Sequence, residues 1–151
     1  MFSITPLTGR LTLAAIAAES RATFWAAGCG VVTTPQPAAQ KVARLSAAMA
    51  AKVNLQVRGV IENMSWFTGD DGKRYEIFGS GGGQELADEL GVPLLGKLPL
   101  VPALREGGDD GRPIAAVDPT SEAGAAFHEM ARRIATELKP KKVFSASLKI
   151  S

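Results

Sequence analysis

Val31-Val32-Thr33-Thr34-Pro35-Gln36-Pro37 is the stretch on which the fold turns. Four β-branched residues between Gly30 and Pro35 read as a short buried strand that ends in a turn. Pro37 suits the first position of a helix, where its fixed φ fits and its missing N–H costs nothing. Downstream, Ala38, Val42, Leu45 and Met49 recur at helical spacing, which predicts one apolar face turned to the core, with Lys41, Arg44 and Lys52 off it. Val57 to Met64, carrying Val57, Val60 and Ile61, reads as the next strand. Strand, helix, strand is a βαβ unit, and that unit demands parallel pairing through a right-handed crossover.

Further along, Asp71-Gly72 between the aromatic-rich flanks Trp66-Phe67 and Tyr75 to Phe78 is a hairpin signal. Gly79-Ser80-Gly81-Gly82-Gly83 leads into a helix over Gln84 to Leu90, closed by Gly91 as a C-cap. Val92 to Pro99 holds another short strand, and Leu100 to Pro113 reads as a loop rich in Gly, Pro and Asp. Ile114 to Val117 is read as a small last strand. Asp118-Pro119 marks the start of a final helix striped by Phe127, Met130, Ile134 and Leu138 and ended by Pro140. The fold class expected is α/β: a parallel sheet of three or four strands, flanked by helices, that begins in its middle.

Upstream, Leu11 to Ala27 is Ala-rich and favours a helix. Ala26-Ala27-Gly28-Cys29 only loosely resembles a lipoprotein cleavage site, because Glu19, Ser20 and Arg21 interrupt the apolar run before it. The chain has 151 residues, 46% apolar and 21% charged, which suits one soluble globular domain. Its net charge of +2 comes from the tail: without Lys139, Lys141, Lys142 and Lys149, 13 bases face 15 acids. A folded basic face for nucleic acid is therefore not expected, and residues 139–151 read as a basic, flexible tail. One cysteine rules out an internal disulfide and fits a reducing cytoplasm. No apolar run is long enough to span a bilayer.

The residues that carry chemistry are few. The glycine run resembles a phosphate cradle, since backbone N–H groups at a helix start bind anions. It fails the phosphate-loop pattern, however, because Gln84-Glu85 stand where Lys and Ser or Thr must follow. The run is thus either a helix entry or a functional loop of another kind. Asp70, Asp71, Asp109 and Asp110 sit in Gly-rich turns and lack the alternation of a cation loop. His128 reads as a surface residue. Cys29 alone closes no thiolate metal cage, so no catalytic and no metal-ligating residue is assigned. Asn63 ends the second strand, at the edge where α/β sheets bind ligands. Its amide matches the N6 and N7 edge of adenine, and it equally suits a turn.

Taken together, these segments resemble a family. Val31 to Gln36, Gly59-Val60-Ile61-Glu62-Asn63-Met64-Ser65 and Phe78 to Gly83 look like consecutive blocks of the Mrp-type P-loop ATPases, the iron–sulfur cluster carriers related to MinD and ParA. Leu90 to Gly96, Leu98-Pro99-Leu100 and Arg105 to Asp109 continue the series, so that the resemblance covers about residues 30–138. It implies an ATP-binding cytoplasmic protein that works as a dimer and delivers [4Fe–4S] clusters to client proteins. It also implies that Asn63 contacts the adenine, that Pro99, Leu100, Val101 and Pro102 line the other side of the base, and that Thr33 to Gln36 lie near the nucleotide.

Two departures shape the expectation. The family's phosphate loop, catalytic lysines and Mg²⁺-binding acid have no counterpart in this sequence. Residues 1–29 do not match the family pattern, which a frameshift or a wrongly placed start would explain. The Cys-x-x-Cys pair that many members carry between the Asn-Met-Ser and Phe-Gly blocks is also missing, since Trp66 to Tyr75 hold no cysteine. The reading is a C-terminal portion of such a carrier: a partial P-loop-NTPase-type sheet without the central P-loop strand, weak toward ATP and not competent for hydrolysis alone. Two alternatives stand beside it. One is a non-enzymatic module whose bare sheet edge pairs with a P-loop-containing homologue; the other is a MinD-like positioning protein. A sheet cut at its centre is expected to be poorly soluble or oligomeric by itself.

Overall fold

The computed structural model describes residues 28–138; the helix expected over 11–27 and the basic tail lie outside them. Ten elements follow one another. They are β1 (Cys29–Thr33), α1 (Pro37–Lys52), β2 (Val57–Glu62), β3 (Phe67–Thr68), β4 (Arg74–Tyr75), α2 (Gly82–Leu90), β5 (Leu94–Lys97), α3 (Pro102–Asp109), α4 (Ile114–Val117) and α5 (Glu122–Glu137). The main sheet has three strands in the order β1-β2-β5, all parallel, and β3 and β4 form a separate antiparallel hairpin. The fold class is therefore α/β, a parallel sheet flanked by helices.

The core forms where α1 and α2 lie on β1 and β2. Val31, Val60, Leu86 and Ala87 meet Ala43 and Ala47 there, and Val60, Leu86 and Ala87 expose nothing. Burial of a side chain the size of Leu86 contributes about 1.5–3 kcal/mol. On the β5 side α5 packs close, with Met130 so near Gly96 that an added Cβ would lie 3.1 Å from its side chain. Gly91, at φ 64°, closes α2 and donates its N–H back to the last turn, as read from the sequence. The hairpin also forms as read, with Phe67 opposite Tyr75 and Gly72 in the turn.

Several elements differ from the sequence reading. The stripe Ala38, Val42, Leu45 and Met49 is not the buried face of α1. Gln40, Ala43 and Ala47 are buried instead, while Val42, Leu45 and Met49 stay 60–68% exposed. Small alanines let the helix sit close to the sheet, and Arg44 ties one flank to Glu89 of α2 at 2.6 Å. β1 is the edge strand among the described residues, so α1's other flank has nothing to lie on.

The segment read as one loop from Leu100 to Pro113 contains α3, started by Pro102 and supported by the Arg105–Asp109 pair one turn apart. Ile114 to Val117 is a helical turn, α4, rather than a strand. The last helix begins at Glu122, not at Asp118-Pro119. Ser121 is its cap, accepting from Gly124 N–H, while Asp118 organises the preceding turn through Thr120 and Ser121. His128 is half-buried, its Nε2 3.1 Å from Ala115 O, and so joins α5 to α4.

The two faces of α1 can be told apart in solution. Leu86→Ala, opposite the buried face, is expected to cost about 2–5 kcal/mol. Leu45→Ala, on the stripe, should stay within about 0.5 kcal/mol of the parent. Urea denaturation of the two variants measures the difference, and equal losses would place the stripe in the core.

Candidate functional site

The carboxyl ends of β1, β2 and β5 meet along one edge of the sheet, and Glu62 lies at their junction. It is the last residue of β2 and is 1% exposed. One carboxylate oxygen accepts the N–H of Gly83 in the first turn of α2, at 2.5 Å. The other lies 2.8 Å from Ser65 Oγ and 3.5 Å from Lys97 Nζ at the end of β5. Glu62 also joins the strands through its backbone, its carbonyl accepting from Leu98 N–H at 2.8 Å. A single side chain therefore holds the start of α2, the turn after β2 and the end of β5 together.

This arrangement decides the two readings of the glycine run. Gly81 is the left-handed cap of α2, with Gly82 and Gly83 buried behind it. A Cβ on Gly83 would lie 2.6 Å from the Glu62 side chain, and one on Gly82 would meet Pro35 O and the Gln40 amide. The glycines are there for close approach. The helix N-terminus, which would favour a phosphate, already holds the protein's own carboxylate. The run is a helix entry built around Glu62.

Asn63 follows directly. Its N–H bonds Thr33 O at 2.8 Å, and its Oδ1 accepts the N–H of Met64, a residue at φ 57°. The oxygen is thus committed to a turn, and the amide N–H pair is the group left for a ligand. Asn63 lines a groove of about 540 Å³ along β1 together with Thr33 and Thr34. Thr34 Oγ1 in that groove is buried without a hydrogen-bond partner.

Leu100, Val101 and Pro102 line a different cavity, of about 220 Å³, with Phe67, Thr68 and Glu122. Pro99 is fully buried behind them. Leu100 donates its N–H to Trp66 O at 2.7 Å, so this stretch is fixed to the segment entering the hairpin. The structure brings these three residues together and places Asn63 in a different groove.

The hairpin itself is clamped. Glu122, at the start of α5, accepts from Trp66 Nε1 at 2.9 Å, Thr68 Oγ1 at 2.8 Å and Arg74 at 2.8 Å. The Arg74 guanidinium lies over the Trp66 ring, 4.6 Å from its centroid. Burial pushes the Glu122 carboxyl up, but the donors Thr68, Trp66 and Arg74, with the charge of Arg74, outweigh it and hold the group below the usual glutamate value of 4.5. Neither Glu62 nor Glu122 is marked by spacing. The available signal for Glu62 was an acid inside an otherwise apolar strand.

The fold and this sheet edge define a class: the P-loop NTPase-type α/β proteins of MinD and ParA shape. MinD of Pyrococcus furiosus superposes with a TM-score of 0.56 at 23% identity, over 70% of this chain and 42% of that one. MinD of Pyrococcus horikoshii, solved with Mg-ADP, gives 0.57 at 21% identity, over 76% and 44%. The sequence narrows the class. The family profile "ParA: NUBPL iron-transfer P-loop NTPase" matches residues 6–135, starting upstream of the motifs quoted above. An iron–sulfur cluster carrier protein of Synechocystis sp. is 44% identical over 111 residues, covering 72% of this chain and 31% of that one. One of Mycobacterium tuberculosis H37Rv is 42% identical over 112 residues, covering 70% and 29%. The chain belongs to this iron–sulfur carrier family of P-loop NTPases, and it spans about three-tenths of the length of these relatives. Among the described residues no helix is long and apolar enough to cross a membrane.

Two outcomes are expected here. Glu62→Ala leaves Gly83 N–H and Ser65 without their acceptor and Lys97 without its partner, and should destabilise the fold by about 3 kcal/mol, read from the denaturation midpoint. The clamp on the hairpin should depend on acid pH. Because Glu122 is depressed in the folded state, its contribution is complete above the unfolded value near 4.5 and is lost as pH falls through the lower folded value. Trp66 fluorescence in a Trp25→Phe background should therefore shift below pH 4.5, and in Glu122→Gln it should lose that transition.

Proposed function

We propose that this chain supplies the base-side wall of an iron–sulfur cluster carrier ATPase and does not hydrolyse ATP by itself. The observation that carries this reading is the occupied start of α2. The one glycine-rich helix entry among the described residues already donates its Gly83 N–H to Glu62, whose carboxylate sets a negative charge against a triphosphate there. No Gly-x-x-x-x-Gly-Lys-Ser/Thr stretch occurs elsewhere in the 151 residues.

What remains suits a base. The Asn63 amide lines the groove along β1 with the orphaned Thr34 hydroxyl, and Leu100, Val101 and Pro102 give an apolar wall in a separate cavity. ATP would be held by its adenine alone, and phosphate contacts supply most of the affinity of such sites. The cluster is the family's cargo. The hairpin from Trp66 to Tyr75 contains no thiolate to hold it, and Cys29 stands at the far end of β1. Delivery of a [4Fe–4S] cluster to client proteins therefore requires thiolates and a phosphate cradle from outside these 151 residues. A reducing, cytoplasmic setting fits a chain with a single cysteine. The second reading, a non-enzymatic module that pairs with a P-loop-containing homologue, is favoured by the β1 edge, on which no further strand lies among the described residues.

Isothermal titration of the full chain with ATP and Mg²⁺ tests the first reading. The expected dissociation constant is weaker than about 1 mM, and any residual binding should fall further in Asn63→Ala. Micromolar affinity would overturn the proposal.

A further inference from the structure

We infer that the β3–β4 hairpin is a strap across the cavity of Leu100, Val101 and Pro102, latched by Glu122 and hinged at Gly79 and Gly81. When the latch releases, the cavity opens while the rest of the fold stays closed. The inference rests on the proposed function only in naming what enters, because that cavity holds the apolar wall read there as the base side.

The strap has fixed ends and a free middle. It leaves the body at Ser65, 4% exposed, whose N–H bonds Leu98 O and whose Oγ bonds Glu62. Leu100 N–H also fixes the backbone of Trp66, so the part free to swing begins at Phe67. The chain returns at Gly82, buried at the start of α2. Between these points Asp70 to Ile77 are all exposed, and β3 and β4 pack chiefly on each other. A two-stranded ribbon with so few buried apolar contacts belongs to the segments that open at a cost well below global unfolding.

The latch is one side chain. Glu122 accepts from Trp66, Thr68 and Arg74, which lie in the strap and at its root. Phe67 and Thr68 form the strap's side of the cavity, while Ser121, Glu122 and Ala123 form the α5 side. Ala123 is 1% exposed. Loss of the Thr68 and Arg74 bonds therefore uncovers Ala123 without unpacking α5, which rests on β5 through Met130 and Gly96.

The hinge accounts for two glycines of the run that close approach does not explain. Gly82 and Gly83 have no room for a Cβ, but a Cβ on Gly79 or Gly81 would meet nothing within 4 Å. These two sit at φ 86° and 81°. Their backbone conformation, and not space, calls for glycine, and with Ser80 between them they join the strap to α2.

Thiol accessibility in the full chain, in a Cys29→Ser background, tests the strap. Ala123→Cys reports on the cavity, and Ala131→Cys, at a position 6% exposed further along α5, reports on the rest of the helix. Thr68→Val combined with Arg74→Ala releases the latch from the hairpin side and leaves Glu122 in place. The release should speed maleimide modification of Ala123→Cys at least about tenfold, since charge-assisted bonds are lost, and leave Ala131→Cys unchanged. Equal rates with and without the latch overturn the proposal. So does acceleration of both thiols together, because the latch then holds the whole fold. Adenosine at about 10 mM separates the strap from the base wall. It should slow the released Ala123→Cys. A thiol that the latch variants accelerate and adenosine leaves unchanged supports the strap and overturns the base wall.

Discussion

A buried carboxylate with three donors around it holds this fold at the point where its strands end. Glu62 is 1% exposed, and a carboxylate so placed is tolerated only when its acceptor sites are filled. Gly83 N–H, Ser65 Oγ and Lys97 Nζ fill them. The consequences reach outward. Gly83 must lack a side chain, so α2 must begin in a glycine run. Lys97 must end β5 beside β2, which fixes the register that Leu98 N–H and Glu62 C=O then share. The turn that carries Asn63 is set by the same residue, since Ser65 closes it. Geometry at the ligand edge is thus over-determined by one acid rather than by a ligand.

Much of the fold was legible in the residues, and the parts that were not share a cause. β1, β2 and α2 announced themselves through β-branched runs and through Gly91, because these signals are local: a chain bends or stops for reasons within a few residues. The hairpin at Asp71-Gly72 was legible for the same reason. α3 was hidden by Gly107 and Gly108, whose poor propensity is offset by Pro102 at the start and the Arg105–Asp109 pair. Ile114-Ala115-Ala116-Val117 is too short for periodicity to tell strand from helix. The α1 stripe misled because amphipathic spacing identifies an apolar face without saying what covers it. Glu62 and Glu122 escaped because their partners are distant in sequence: Gly83 is 21 residues on, and Trp66 lies 56 residues before Glu122.

The hairpin shows how a loop with no cysteine keeps its place. A short two-stranded ribbon is marginal by itself. Here three donors converge on Glu122, and Arg74 stacks on Trp66, so the ribbon is joined to the start of α5 by charge-assisted bonds. Glu122 also sits in the first turn of α5, where the helix dipole favours a negative charge. The same side chain lines the cavity with Leu100, Val101 and Pro102. Hairpin, apolar wall and helix start therefore form one unit, and movement of the hairpin would be felt at the wall.

The charge at the start of α2 bears directly on what can approach that helix. An anion approaching Gly81 to Gly83 would have to displace Glu62 from Gly83 N–H. The displaced carboxylate has no solvent to move into, because its side chain is enclosed by β2, β5 and α2. Two negative groups a few ångströms apart in a dry site repel by several kcal/mol even at an effective dielectric of about 20. An incoming phosphate would need to offset both that repulsion and the lost hydrogen bond. The Asn63 turn faces the groove along β1 instead, where no carboxylate stands. The residue that fixes the architecture thereby also sets a negative charge against any polyanion at the start of α2.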